Sequence, residues 1–159
     1  MTLWKQFKPK ACTVGLSAAT KDAALEEIVG NLTEAQFLTR AQSPKVLEAL
    51  LAREALASTG VGMGVAIPHV KLNGLDQAVC SLSVHKQGLA WDAVDAAPVQ
   101  VVFTVVRPDR PGDKHDPARH LELMQWIARL SRHADFRSFA VQATTRTQLV
   151  ELLQEMSAV

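Results

Sequence analysis

The chain has 159 residues, 48% of them hydrophobic and 21% charged, which suits one domain with a real core and leaves little room for a second. Its 17 basic and 16 acidic residues leave a formal net charge of +1, which argues against nucleic-acid or membrane-surface partners held by bulk charge. The two cysteines, Cys12 and Cys80, show no metal or redox spacing and read as reduced thiols of a cytoplasmic protein.

The first fifteen residues hold no continuous apolar segment of the signal-peptide kind. The densest apolar run, 99–106, is interrupted by Gln100 and Thr104 and is too short to cross a bilayer. The expectation is a single cytoplasmic domain over 1–159, with no membrane insertion and no internal repeat.

In chain order, Ala24, Leu25, Ile28, Val29 and Leu32 fall at helical spacing and predict a helix over 20–32, capped by Thr20 or Ser17 and weakened at Gly30-Asn31. A second helix is predicted from Ser43 as N-cap and Pro44 as first residue, with Leu47, Leu50, Leu51 and Leu56 on its face. It runs out by Ser58-Thr59-Gly60. Val65-Ala66-Ile67 reads as a short strand closed by Pro68, which cannot donate to a ladder. Alternation over 77–85 predicts a half-buried strand, and VQVVFTVV (99–106) a central strand covered on both faces.

The loop 107–117 is long for a compact domain. The basic residues Arg107, Arg110, Lys114 and Arg119, in this loop and just after it, are interleaved with aspartates and read as a solvated stretch in preference to a ligand patch. Asp116 then caps a helix opening at Pro117, with Leu121, Met124, Ile127 and Ala128 as its apolar face. Phe136 and Phe139 belong to a short helical piece, and Thr145 with Gln148 forms a capping box before the last helix. Alternating helices and strands predict one α/β layered domain, a mixed sheet with helices on both faces.

The stretch TGVGMGVAIPHV (59–70) places three glycines before a proline-presented histidine. A nucleotide-binding loop fails on context. No Lys-Ser/Thr pair follows the glycines, and the strand comes after them rather than before. The five histidines lack any zinc-ligand spacing, so neither a metal nor a cofactor is expected. A nucleophile remains, because imidazole is substantially neutral near pH 7. Arg53, in the last turns of the preceding helix, has the fork that clamps phosphate oxygens. His120, in the first turn of its helix, sits where the dipole disfavours imidazolium and attracts anions. Each of the three also has an ordinary structural reading when taken alone.

Taken together, REALASTGVGMGVAIPH (53–69) resembles the signature of the enzyme IIA domains of the phosphoenolpyruvate-dependent phosphotransferase system, fructose/mannitol type. WDAVDAAPVQVVFTVVRP (91–108) is similar to the family's aspartate-containing turn and central strand, and HLELMQWIARL (120–130) to its second-histidine helix. The resemblance implies a phosphoryl carrier, with His69 phosphorylated, Arg53 stabilising the phosphate and His120 as second active-site histidine. The His-Leu and apolar-helix context favours His120 over His115, a second histidine in the loop. Ser58 and Thr59 match motif positions and are carried over as phosphate-binding residues, while Glu54 matches without an assigned role.

The donor implied is phospho-HPr or its nitrogen-branch counterpart. A lone domain suggests the nitrogen-regulatory subgroup, whose output is phosphorylation-switched binding of a regulatory target. The alternatives are a sugar-specific enzyme IIA serving a permease IIB component, a docking module that carries no phosphate, and a nucleotide-binding regulator supported only by the glycines.

Overall fold

The computed structural model describes residues 2–159. Two short 3₁₀ turns, Leu3–Gln6 and Pro9–Ala11, precede α1 (Lys21–Glu34) and α2 (Gln42–Leu56). Five strands follow: β1 (Gly60–Gly62), β2 (Val65–Ala66), β3 (His69–Leu72), β4 (Val79–Leu89) and β5 (Val99–Pro108). The chain ends in α3 (Pro117–Arg132), α4 (Ala134–Gln142) and α5 (Arg146–Glu155).

The sheet is organised around β5, as its unbroken apolar run leads one to expect. β4 pairs with it antiparallel, while β2 and β3 pair with it parallel. Val65 lies opposite Val101 and His69 opposite Val105, so the same offset holds across both short strands. They are therefore one line of chain, interrupted at Ile67-Pro68 and resumed at His69. The strand stops before Pro68 as expected, yet the line resumes beyond it: proline lacks an N–H, but its carbonyl still accepts from Val105 N at 3.0 Å. β1 adds antiparallel to β2.

Helices cover both faces. Leu123, Trp126, Ile127 and Leu130 of α3 join Phe136 of α4 and Leu149 and Leu153 of α5 in one core against Leu82, Phe103 and Val105. Ala24, Leu25 and Ile28 of α1 and Val46 and Leu50 of α2 form the other against Val102 and Val106. This is the mixed sheet with two helical layers that alternation predicts.

Four boundaries or faces differ from expectation. α1 runs through Gly30-Asn31 to Glu34, with Thr20 accepting from Ala23 N as its cap. The second helix starts at Gln42, ahead of Ser43, after a turn closed by Thr39 and Gln42. Thr39 Oγ1 accepts from Gln42 N, and Gln42 Oε1 from Thr39 N, the reciprocal pairing of a capping box. β4 is buried on both faces up to His85, because Ser81 and Ser83 lie opposite Thr104 and Val102, beneath the α1–α2 layer. The buried stripe of α3 is rotated towards Trp126, which meets Phe7 edge-on at 6.3 Å. Leu121 is consequently exposed, as are Leu56 and Phe139. The caps of α3 (Asp116 Oδ1 accepting from Ala118 N, 3.0 Å) and α5 (the Thr145–Gln148 box) are as expected.

Gly60 is packed where no side chain fits: a Cβ there would sit 2.6 Å from Ala93 Cβ and 2.9 Å from Ala93 Cα. Gly62 has φ +96° and its Cα faces the Asp95 carboxylate, which accepts from Met63 N at 2.8 Å and Ala97 N at 3.0 Å. Those two N–H donors hold the Asp95 carboxyl below its ordinary range. Gly60→Ala is expected to lower unfolding stability by about 1–3 kcal/mol in urea denaturation. Gly112→Ala, whose new methyl would meet nothing within 4 Å, is expected to stay within about 0.5 kcal/mol of the parent.

Candidate functional site

The end of α2 sets one wall of the site. Glu54 points inward and is only 6% exposed. Its carboxylate accepts from Thr59 N at 3.2 Å, from the Thr59 hydroxyl, and from Trp91 Nε1 at 3.3 Å, and it pairs with Lys21 Nζ at 3.4 Å. A buried carboxylate so fully partnered locks α1, α2, the chain before β1 and the Trp91 segment together. Arg53, one residue earlier and about 100° round the helix, faces the other way. Its Nη1 donates to the Ala57 carbonyl at 2.6 Å.

His69 follows from the strand interruption. It is exposed, and its Nδ1 lies 2.7 Å from the carbonyl oxygen of Ile67. A carbonyl can only accept, so in the neutral ring Nδ1 is the protonated nitrogen and Nε2 the one with a lone pair. On the other flank, Asp116 and Pro117 start α3 so that His120 turns into the same space. A pocket of about 340 Å³ is lined by Arg53, His69, Lys71, Arg107 and His120 over Ala49, Val70 and Val105.

His120 is half-buried, and its Nδ1 is fully enclosed without a hydrogen-bond partner among the described residues. Burial first, then the charges of Arg107, His115 and His69, push its pKa down to about 4. His115 is buried beside it, ring centroids 5.7 Å apart. A larger groove of about 630 Å³ on that side of His120 includes His115, Lys114 and Arg119, but neither His69 nor Arg53.

The structure thus brings Arg53, His69 and His120 into one pocket and leaves Ser58 and Thr59 out of its lining. Thr59 is buried with its hydroxyl on Glu54. The Ser58 hydroxyl donates to Trp91 O and accepts from Gly60 N, each at 3.0 Å. Both shape the backbone that leads to β1. Two residues of the pocket escaped the sequence reading. Arg107 belongs to β5, not to a solvated loop, and Lys71 lies opposite it on β3. Had the strand pairing been known, the two-residue period from Val105 would have found Arg107. Among the described residues, no group of three His, Cys, Asp or Glu side chains is placed to hold a metal ion, and no helix is long and apolar enough to cross a membrane.

Comparison with known proteins converges on one family. The family described as "Phosphoenolpyruvate-dependent sugar phosphotransferase system, EIIA 2" matches residues 5–156. The nitrogen regulatory protein of Pseudomonas aeruginosa is 32% identical over 93% of this chain and 92% of its own length. The fructose-specific EIIA component of Haloferax volcanii is 28% identical over 87% of this chain and 85% of its own. The crystal structure of the nitrogen regulatory protein IIA-Ntr from Neisseria meningitidis superposes with a TM-score of 0.79 at 24% identity, covering 96% of this chain and 99% of that one. That likeness carries the fold.

The His120 environment predicts its titration. A folded-state pKa of about 4 against an ordinary imidazole near 6.5 means the unfolded chain binds more protons between those values. Stability linked to His120 is therefore complete above about pH 6.5 and is lost as pH falls towards 4. NMR titration is expected to show the His120 ring neutral at pH 6. In Arg107→Gln its midpoint rises, yet stays below 6.5, because burial is the larger cause.

Proposed function

Because the chain belongs to the enzyme IIA type 2 family of the phosphoenolpyruvate-dependent sugar phosphotransferase system, we propose that it carries a phosphoryl group on His69 Nε2, received from a phosphohistidine of an HPr-like donor. The observation that carries this reading is the Nδ1 contact with the Ile67 carbonyl. It leaves an exposed nucleophilic nitrogen at the mouth of a pocket bearing a guanidinium and a neutral imidazole.

In the transfer step the Nε2 lone pair forms the new N–P bond while the donor's N–P bond breaks in line. The electron pair of that bond returns to the donor imidazole, and no water is consumed. Arg53, steadied by its bond to Ala57, has further N–H groups to offer the equatorial oxygens. His120 is neutral at working pH, and its Nδ1 has no acceptor to take a proton. The proton therefore sits on Nε2, from which it is offered to a phosphoryl oxygen. Fixed donors of this kind stabilise charge as it redistributes without reorganising.

The regulatory output proposed is protein binding switched by the roughly two negative charges that a phosphoryl group adds. The likeness to a nitrogen regulatory protein over nine-tenths of both chains supports it. The likeness to a fructose-specific EIIA component supports the second reading, transfer onward to a IIB component of a sugar permease. A cytoplasmic location accords with either.

With phosphoenolpyruvate, enzyme I and HPr, intact mass is expected to show one acid-labile phosphoryl adduct on the wild type and none on His69→Ala. His120→Ala is expected to slow its appearance by about a hundredfold, the scale of losing one fixed donor. No adduct on the wild type overturns the carrier reading, and an adduct on His69→Ala overturns the site. Rapid loss of the adduct to a purified fructose-type IIB domain would replace the regulatory reading with the sugar-specific one.

A further inference from the structure

We propose that Arg107 is a second phosphate-binding residue, gripping the phosphoryl group of His69 from the sheet while Arg53 grips it from α2, and so favouring the phosphorylated state of the chain. This rests on the carrier reading and adds a residue to it.

Strand geometry puts Arg107 there. His69 lies opposite Val105 and Lys71 opposite Arg107 in the β3–β5 pairing. Residues two apart on a strand point to the same side, about 6.6 Å along, and neighbouring strands are about 4.8 Å apart. Arg107 therefore stands on the face that carries the His69 ring, one repeat further along the adjacent strand, within the span of an arginine side chain. It lines the same pocket as His69, Arg53 and His120.

The two guanidiniums are prepared in the same manner. Each gives one Nη1 hydrogen to a main-chain carbonyl, Arg53 to Ala57 at 2.6 Å and Arg107 to Pro108 at 3.1 Å. The remaining N–H groups of the fork are left for an anion. Such tethering removes part of the ordering cost that a free arginine meets when it closes on a ligand.

Charge supplies the motive. No carboxylate lines the pocket, while Arg53, Lys71 and Arg107 all do. His120 contributes a donor but no charge at neutral pH. A phosphoryl group with roughly two negative charges is therefore balanced by the guanidiniums, since exposed Lys71 is free to remain in water and its charge is screened there. The two guanidiniums with no phosphate between them repel one another, which raises the cost of the empty pocket relative to the filled one. Arg107 thus acts on the equilibrium between the two states.

The test is the equilibrium ratio of phosphorylated chain to phosphorylated HPr, read by intact mass with phosphoenolpyruvate removed after charging. Arg107→Gln is expected to lower that ratio about tenfold, the scale of one charge-assisted hydrogen bond. Arg107→Lys, which keeps the charge and loses the fork, should fall between. Arg110→Gln removes the same charge from an exposed residue outside the pocket lining and should match the wild type. If Arg107→Gln matches the wild type, or falls no further than Arg110→Gln, the inference is wrong while the carrier reading stands. If Arg107→Gln does not fold, an Arg107→Lys ratio equal to wild type overturns it equally. A wild type that takes no phosphoryl group overturns both.

Discussion

Everything at the site depends on the interruption of one strand at Ile67-Pro68. The chain keeps its register with β5 on either side of the break, so the sheet is not lost there. Locally, however, the hydrogen bonds are redirected. Ile67 N donates outward to Thr59 O at 3.0 Å, and Pro68 has no N–H to give. The Ile67 carbonyl takes the Nδ1 hydrogen of His69 instead. One proline thus accounts for a histidine that is exposed at a sheet edge, fixed in orientation and restricted to a single tautomer. In an unbroken strand the imidazole would have had no reason to hold either its angle or its proton.

Around that histidine, the two helical layers contribute different things. α2 brings a cation and α3 brings a neutral donor, and each is held by a device remote from the pocket. For α2 the device is the Glu54 carboxylate with Thr59, Trp91 and Lys21. Removing one partner would leave a buried charge short of its contacts, which is costly. For α3 it is the Asp116–Pro117 start together with burial of Trp126 against Phe7. The glycines belong to the first of these devices. Gly60 lets the chain lie against Ala93, and Gly62 lets it turn over Asp95. They shape the backbone leading to His69, and no nucleotide is needed to explain them.

The fold was legible where apolar periodicity and caps agree. β5, α5 and the start of α3 are each marked by signals that nothing in the tertiary structure contradicts. Legibility failed where a local signal competes with packing. Ser43-Pro44 is an attractive helix start, but Thr39, four residues before Ser43, forms a reciprocal pair with Gln42. Two overlapping helical periods run through α3, and Trp126, packed on Phe7 with its Nε1 donating to Met156 O, takes the buried face while Leu121 stays exposed. Of the residues lining the pocket, Arg53, His69 and His120 are flanked by distinctive motifs and could be singled out from the sequence. Arg107 could not, because its place is set by pairing between strands far apart in the chain. Ser58 and Thr59 share the motif, yet their hydroxyls are engaged with Trp91, Gly60 and Glu54.

The most direct measurement is of the nitrogen itself. Two-bond ¹H–¹⁵N correlation spectra of the His69 ring, taken before and after phosphorylation, report which nitrogen carries the proton and which carries phosphorus. The strand interruption predicts a protonated Nδ1 in the free protein and phosphorus on Nε2 in the phosphorylated one, with Nδ1 still protonated. A free Nε2–H tautomer, or phosphorus bonded to Nδ1, would contradict it.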